Sequence, residues 1–186
     1  MSKNLRDYTR AVYTMDAVVN RMPADAWDNP SPCDGWTARQ VLGHFMWGAE
    51  RIASAAAGED PPAPRSEAEM ATDDPPRAWA ATRDHVLGAL DHDGALRRDF
   101  SGPFGPGDVD SFLPIHGVDG LLHAWDVATA GGIEAHLPTD LAAAGAAAIA
   151  SFGDGIRQPG VFGPAVAVSD DADDVTRFVA IAGRTP

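Results

Sequence analysis

The stretch Ile115-His116-Gly117-Val118-Asp119-Gly120-Leu121-Leu122-His123-Ala124-Trp125-Asp126-Val127-Ala128 decides how the rest of the sequence is read. At roughly 100° per residue, His116, Asp119, His123 and Asp126 fall on one side of a single helix, while Val118, Leu121, Leu122, Trp125 and Val127 supply apolar contacts around the rest. Asp119 and His123 are four residues apart, the spacing at which side chains on a helix meet. Two imidazoles and a carboxylate on one stripe can hold a metal, and one more ligand from a second helix would complete a facial, partly open site. His44 is the candidate for that ligand. A single histidine on a half-buried helix is also commonly a hydrogen-bonded core residue, so spacing alone leaves both readings open.

On the N-terminal side, Leu5, Tyr8, Val12, Met15, Val18, Val19 and Met22 recur at helical spacing and predict an amphipathic helix over residues 4–22, ended by Pro23. Residues 23–36 are dense in Pro, Asp, Asn, Ser and Gly and read as an ordered loop. Thr37-Ala38-Arg39-Gln40 has the form of a capping box, so a second helix starts there and carries His44 in its second turn as it runs to about Ala57. Residues 58–76 have the composition of an exposed connector that adds little to the core. A third helix is expected over 77–90, with Pro76 near its start. Residues 91–114 read as a glycine- and proline-rich loop, and Pro114 suits the first turn of the helix that carries the opening stretch.

That helix ends at Gly131-Gly132. Behind Pro138 an alanine-rich helix is expected from Thr139 to about Gly153. Residues 161–168 alternate weakly, as a short extended segment would, and one or two helical turns are expected over 175–182. Four or five helices with partly long connections predict an all-α, up-and-down bundle in one domain, residues 1–186, with a polar cluster between its staves.

Composition narrows the function. Against 14 basic residues stand 27 acidic ones, a net charge of −13 that opposes nucleic acid and anionic membrane surfaces. No apolar run approaches the roughly 20 residues that span a bilayer, and the first 20 residues are charged where a signal peptide needs an apolar core. A soluble cytoplasmic protein is expected. Cys33 is the single cysteine, which excludes an internal disulfide and any multi-thiolate zinc site within one chain. A metal here rests on nitrogen and oxygen.

Four motifs in order carry a resemblance: Ser31-Pro32-Cys33-Asp34-Gly35-Trp36-Thr37 leading into the helix with His44, His123-Ala124-Trp125-Asp126, Phe162-Gly163-Pro164, and Gly183-Arg184-Thr185-Pro186. Over nearly its whole length the sequence resembles the DinB-like superfamily, in the branch similar to the N-terminal domain of mycothiol-dependent maleylpyruvate isomerase. The resemblance implies a four-helix bundle with a small C-terminal extension. It also implies a divalent metal, usually zinc, held by one His of the second helix and a Glu-x-x-x-His pair of a later one. His44 matches the first ligand and His123 the last, and Asp119 stands where the family usually has Glu. An aspartate is shorter by one CH₂, so the helices approach more closely here, the metal is held more weakly, or His116 one turn earlier contributes instead.

By the same resemblance, Trp125 and Asp126 match a Trp-Asp pair that follows the metal histidine. Asp126 either orients a ligand imidazole by accepting its other N–H or pairs near the helix end. Cys33 falls on a family position, as a buried packing residue or a reactive thiol. Gly117 and Gly120 are expected to serve close helix packing. His85, His92 and His136 belong to no constellation and are expected to face solvent.

The implied function is that of a metal-dependent transferase or isomerase in which mycothiol or a similar small thiol attacks a small electrophile, with His116, if not a ligand, moving a proton. The family's isomerase carries a further C-terminal domain, so a substrate other than maleylpyruvate is expected. A non-catalytic metal- or ligand-binding bundle and a metal-dependent hydrolase are the alternatives. A homodimer through the alanine-rich helix is also expected.

Overall fold

Ser2 opens the first helix by accepting the Leu5 N–H on its hydroxyl at 3.0 Å, and α1 then runs Lys3–Val19. Its apolar stripe of Tyr8, Ala11, Val12, Met15, Val18 and Val19 is buried, as the spacing predicts. The helix stops at Asn20, so Met22 packs from the turn that follows rather than from the helix. Helix α2 spans Ala38–Ala57. At its start Gln40 Oε1 accepts both the Thr37 N–H at 2.9 Å and the Thr37 hydroxyl at 3.0 Å. Gly58 ends it at φ 77°, a left-handed backbone that glycine adopts without strain.

The computed structural model describes residues 1–70, 73–102, 105–157 and 162–186, without the side chains of 67, 68 and 154. The connector after α2 holds a four-residue helix, α3 (Glu67–Met70), whose Met70 is buried against α2. Gly43 makes this approach possible, because a Cβ there would lie 1.8 Å from the Met70 carbonyl oxygen. The connector therefore does add to the core, through one long apolar residue that composition averaged away. Helix α4, Pro75–Leu90, begins two residues before the expected start, with Asp74 accepting the Arg77 N–H.

The glycine-rich stretch before the last bundle helix is not all loop. Strands β1 (Asp99–Gly102) and β2 (Gly105–Asp108) pair antiparallel, with Phe100 opposite Gly107; residues 103–104 of the expected loop lie outside the described residues. Helix α5, Val109–Ala130, starts five residues before Pro114. The start is set by a reciprocal cap: Asp108 Oδ1 accepts the Ser111 N–H at 3.0 Å, and Ser111 Oγ accepts the Asp108 N–H at 3.1 Å.

By its contacts the chain divides into two units, Met1–Glu134 and Ala135–Pro186. The first is a four-helix bundle in which α1 packs on α4 and α5, and α2 packs on the same two. Phe45, Trp79, Met15, Leu42, Leu113 and Leu122 are fully buried in it, each contributing about 1.5–3 kcal/mol relative to exposure. Asp16 ties α1 to α4 by accepting from Trp79 Nε1 at 3.0 Å and from Arg83 at 2.5 Å.

The second unit holds α6 (Thr139–Phe152) and α7 (Asp174–Ile181). The fully buried Phe178 of α7 lies over Gly145 of α6. Of the expected extended segment, residue 161 lies outside the described residues; the rest forms no strand, and Val166 N–H bonds the Ala180 carbonyl. Among the described residues no helix is long and apolar enough to cross a membrane. The all-α bundle is the fold that the sequence predicts.

Candidate metal centre

Helix periodicity places Asp119 and His123 on neighbouring turns of α5, and the packing of α2 on α5 brings His44 to them. The donor atoms of His44, Asp119 and His123 lie within 4.8 Å of one another. His123 Nε2 is 3.2 Å from Asp119 Oδ1, and the His44 and His123 rings meet edge to face at 5.3 Å between centroids. Ligands of a tetrahedral ion with bonds of about 2.0–2.1 Å lie about 3.3–3.4 Å apart. The nitrogen and oxygen donors present are thus of the right type for zinc or a similar divalent ion, with Asp119 and His123 at the right separation and His44 within 4.8 Å of both.

Behind the triad lies a layer that fixes it. Asp126, fully buried one turn after His123, places Oδ2 3.0 Å from His123 Nδ1. With Nδ1–H donated there, Nε2 is the nitrogen turned toward Asp119 and His44. The same Asp126 oxygen accepts the Cys33 thiol at 3.1 Å, and Cys33 Sγ is 3.8 Å from His123 Nδ1. A local turn aims the thiol: Ser31 Oγ accepts the Cys33 N–H, and the Cys33 carbonyl accepts the Trp36 N–H. Trp36 lies against His44 with ring centroids 5.1 Å apart.

The charges of this group follow from its crowding. Burial acts against the charged form of His123, but the Asp119 carboxylate and hydrogen bonds to Asp119, Asp126 and Cys33 hold its pKa well above the usual imidazole range. Burial alone would raise Asp119, yet His123 beside it, with smaller effects of His44 and His116, takes the carboxyl far below the usual carboxylate range. His44 is pushed down, chiefly by burial.

His116 lies outside the triad. Its ring stacks on Phe45 at 4.7 Å and faces Tyr8 at 5.6 Å. Gly48 leaves it room, since a Cβ at that position would sit 2.3 Å from Nε2. Both ring nitrogens and the Tyr8 hydroxyl are buried without a hydrogen-bond partner among the described residues. Burial lowers the His116 pKa to about 4 and raises that of Tyr8.

Gly120 meets the Phe45 ring and Gly117 lies against the Tyr8 backbone, so both serve the close helix contacts expected of them. His85, His92 and His136 are exposed, and His85 pairs with Glu50 at 2.7 Å. Spacing along one helix could not reveal the contact of Cys33 with Asp126 and His123, because it is made across 90 residues or more. Tyr8 carried only a weak signal, a hydroxyl on an otherwise apolar face.

An all-α bundle with an imidazole and carboxylate cluster between two of its helices defines the class of DinB-like helix-bundle proteins. Within that class the chain belongs to the family described as the mycothiol maleylpyruvate isomerase N-terminal domain, which matches residues 8–128. It is similar to the uncharacterized protein Rv0738 of Mycobacterium tuberculosis, at 32% identity over 84% of this chain and 83% of that one. A second uncharacterized protein of that organism, Rv0036c, is 39% identical over 25% of this chain and 18% of its own. Among solved structures, the crystal structure of the mycothiol-dependent maleylpyruvate isomerase superimposes with a TM-score of 0.58 at 18% identity, over 79% of this chain and 68% of that one. A histidine-to-alanine mutant of that isomerase gives 0.59 at 17% identity. These two likenesses show the fold.

Proposed function

We infer that the protein is a divalent-metal-dependent transferase or isomerase that uses mycothiol or a similar small thiol on a small electrophilic substrate. The observation that carries this reading is the convergence of His44, Asp119 and His123 donor atoms within 4.8 Å, in a chain of the mycothiol maleylpyruvate isomerase N-terminal domain family. In this reading His44, Asp119 and His123 hold the ion, zinc by preference of the donor set. A bound divalent ion supplies the charge that keeps a thiol deprotonated and nucleophilic at neutral pH.

The chain's own residues do the rest. Asp126 holds His123 by Nδ1, so that Nε2 is the nitrogen that would bond the ion once its proton is displaced. His116, kept neutral at pH 7 by the burial that lowers its pKa to about 4, relays a proton between thiol and product, accepting on one ring nitrogen as it gives from the other. Ring contacts of Trp36 and Phe45 restrict the histidines to one orientation each. The protein acts in the cytoplasm, where a reduced thiol pool is available. It pairs as a homodimer through the exposed Ala144, Ala147 and Ala150 of α6, and light scattering at the monomer mass would refute that pairing.

The test combines elemental analysis of protein purified without a metal-affinity tag with mycothiol consumption against monobromobimane, on wild type and His123→Ala. About one equivalent of zinc and consumption faster than the uncatalysed rate, both lost in the variant, are expected. Zinc without consumption across several thiols and electrophiles would overturn the enzymatic reading. No metal after reconstitution would overturn the site.

A further inference from the structure

His123 touches a different set of potential ligands through each ring nitrogen. Nε2 faces Asp119 and His44, whereas Nδ1 faces Asp126 Oδ2 at 3.0 Å and Cys33 Sγ at 3.8 Å, with sulfur and carboxylate 3.1 Å apart. Ions with bonds of about 2.0–2.3 Å to nitrogen, oxygen and sulfur put their ligands about 3.3–3.6 Å from each other. The second set spans that separation, and its donors all lie within 4.8 Å. It differs from the first in chemistry, because it contains the one sulfur of any cysteine in the chain. A soft thiolate selects ions of another kind than imidazole and carboxylate do.

We propose that Cys33, His123 and Asp126 form a second metal site, selective for thiophilic ions, that competes with His44 and Asp119 for His123. On binding, the Cys33 thiol and His123 Nδ1 each give a proton to solvent and metal–sulfur and metal–nitrogen bonds form, with no change of oxidation state. The His123 imidazole then bonds the ion through Nδ1 and carries its one proton on Nε2, where Asp119 Oδ1 stands 3.2 Å away to accept it. A neutral imidazole offers one lone pair at a time. Occupation of one site therefore removes the ligand that the other needs.

The buried surroundings suit such a capture. Asp126 is fully buried and His123 nearly so, while Cys33 is half-buried on the loop side and gives the ion a way in. The competition rests on the reading that the first triad holds an ion, but the second site does not. A thiophilic ion would act as an inhibitor of that first triad without touching His44 or Asp119.

Cadmium is the probe, since its thiolate gives an ultraviolet charge-transfer band that only Cys33 can produce in this chain. Titration of zinc-loaded wild type with cadmium is expected to raise the band as zinc is released to a chromophoric chelator. In Cys33→Ser, which keeps a hydroxyl to donate to Asp126 and so protects the fold, the band is lost; in Asp119→Ala it persists. Cadmium uptake without the band, or the band rising while zinc stays bound, would overturn the proposal. Wild type that takes up no zinc, yet shows a band that His123→Ala abolishes, would refute the metal reading of His44, Asp119 and His123 and still support this second site.

Discussion

Asp126 and His123 stand one turn apart on α5, with Oδ2 3.0 Å from Nδ1 and the carboxylate wholly buried. This contact decides which nitrogen of the ring faces Asp119 and His44. Replacing Asp126 by Asn keeps the shape but supplies a weaker, neutral acceptor that can turn its NH₂ toward the ring. Zinc affinity is expected to fall about 10–100-fold, as it does when such orienting carboxylates are lost, with the helical circular dichroism retained. Competition titration against a chelator measures it, and unchanged affinity would return Asp126 to a purely structural role.

The raised pKa of His123 gives a sign to the pH dependence. Protons compete for Nε2 through the neutral range, because the Asp119 carboxylate holds the ring protonated there. Zinc affinity should therefore rise with pH across about 6–8, with close to one proton released per ion. Calorimetry in two buffers of different ionisation heat counts that proton. For the folding of the metal-free protein the same shift stabilises fully below the unfolded imidazole value of about 6.5, and the gain is lost as pH rises through the folded value.

His116 shifts the other way. Its pKa of about 4 in the folded protein means that the unfolded chain binds the extra proton between about pH 6.5 and 4, so its contribution to stability falls as the pH drops through that window. The shift corresponds to about 3 kcal/mol. His116→Gln, which does not titrate, should flatten the acid limb of a plot of unfolding free energy against pH. Identical slopes in variant and wild type would show that burial does not lower the pKa of this ring in the fold.

Much of this could be read from the sequence, for reasons that particular residues make plain. The Thr37-to-Gln40 start of α2, the Tyr8-to-Val19 stripe and the Asp119 to His123 spacing are local patterns, and local patterns survive folding. Pro114 misled because proline favours the first turn of a helix, whereas the reciprocal bonds of Asp108 and Ser111 start α5 five residues earlier. Met70 was hidden in a connector of average polar composition. Contacts such as Cys33 with Asp126 depend on where a loop returns in space, which no periodicity encodes.

The Tyr8 hydroxyl gives a prediction of opposite sign to the usual core substitution. It is buried, has no hydrogen-bond partner among the described residues and sits beside the stacked pair of Phe45 and His116. Removing an unsatisfied buried hydroxyl recovers its desolvation penalty, about 1 kcal/mol, while the ring packing is kept. Tyr8→Phe should raise the Tm by about 2–4 °C. A drop in Tm would mean that the hydroxyl is bonded in solution.

Asp119→Glu tests the geometry of the site most directly, because the resemblance would lead one to expect improvement. The longer side chain is the one that the family usually has, yet Asp119 Oδ1 already lies 3.2 Å from His123 Nε2 and in reach of His44. One more CH₂ advances the carboxylate by about 1.5 Å. Gly120 meets the Phe45 ring where a Cβ would be only 2.6 Å from it, so α2 and α5 are in close contact at this level and moving apart would give up that packing. The glutamate must fold back into a less favourable rotamer or push His44 away. Zinc affinity is expected to fall about tenfold, equal to about 1.4 kcal/mol, with an unchanged Tm for the metal-free protein. Asp119→Asn, which keeps the reach and removes the charge, should lose more. Tighter binding by Asp119→Glu than by wild type would show that the close approach of α2 and α5 is not what accommodates the shorter residue.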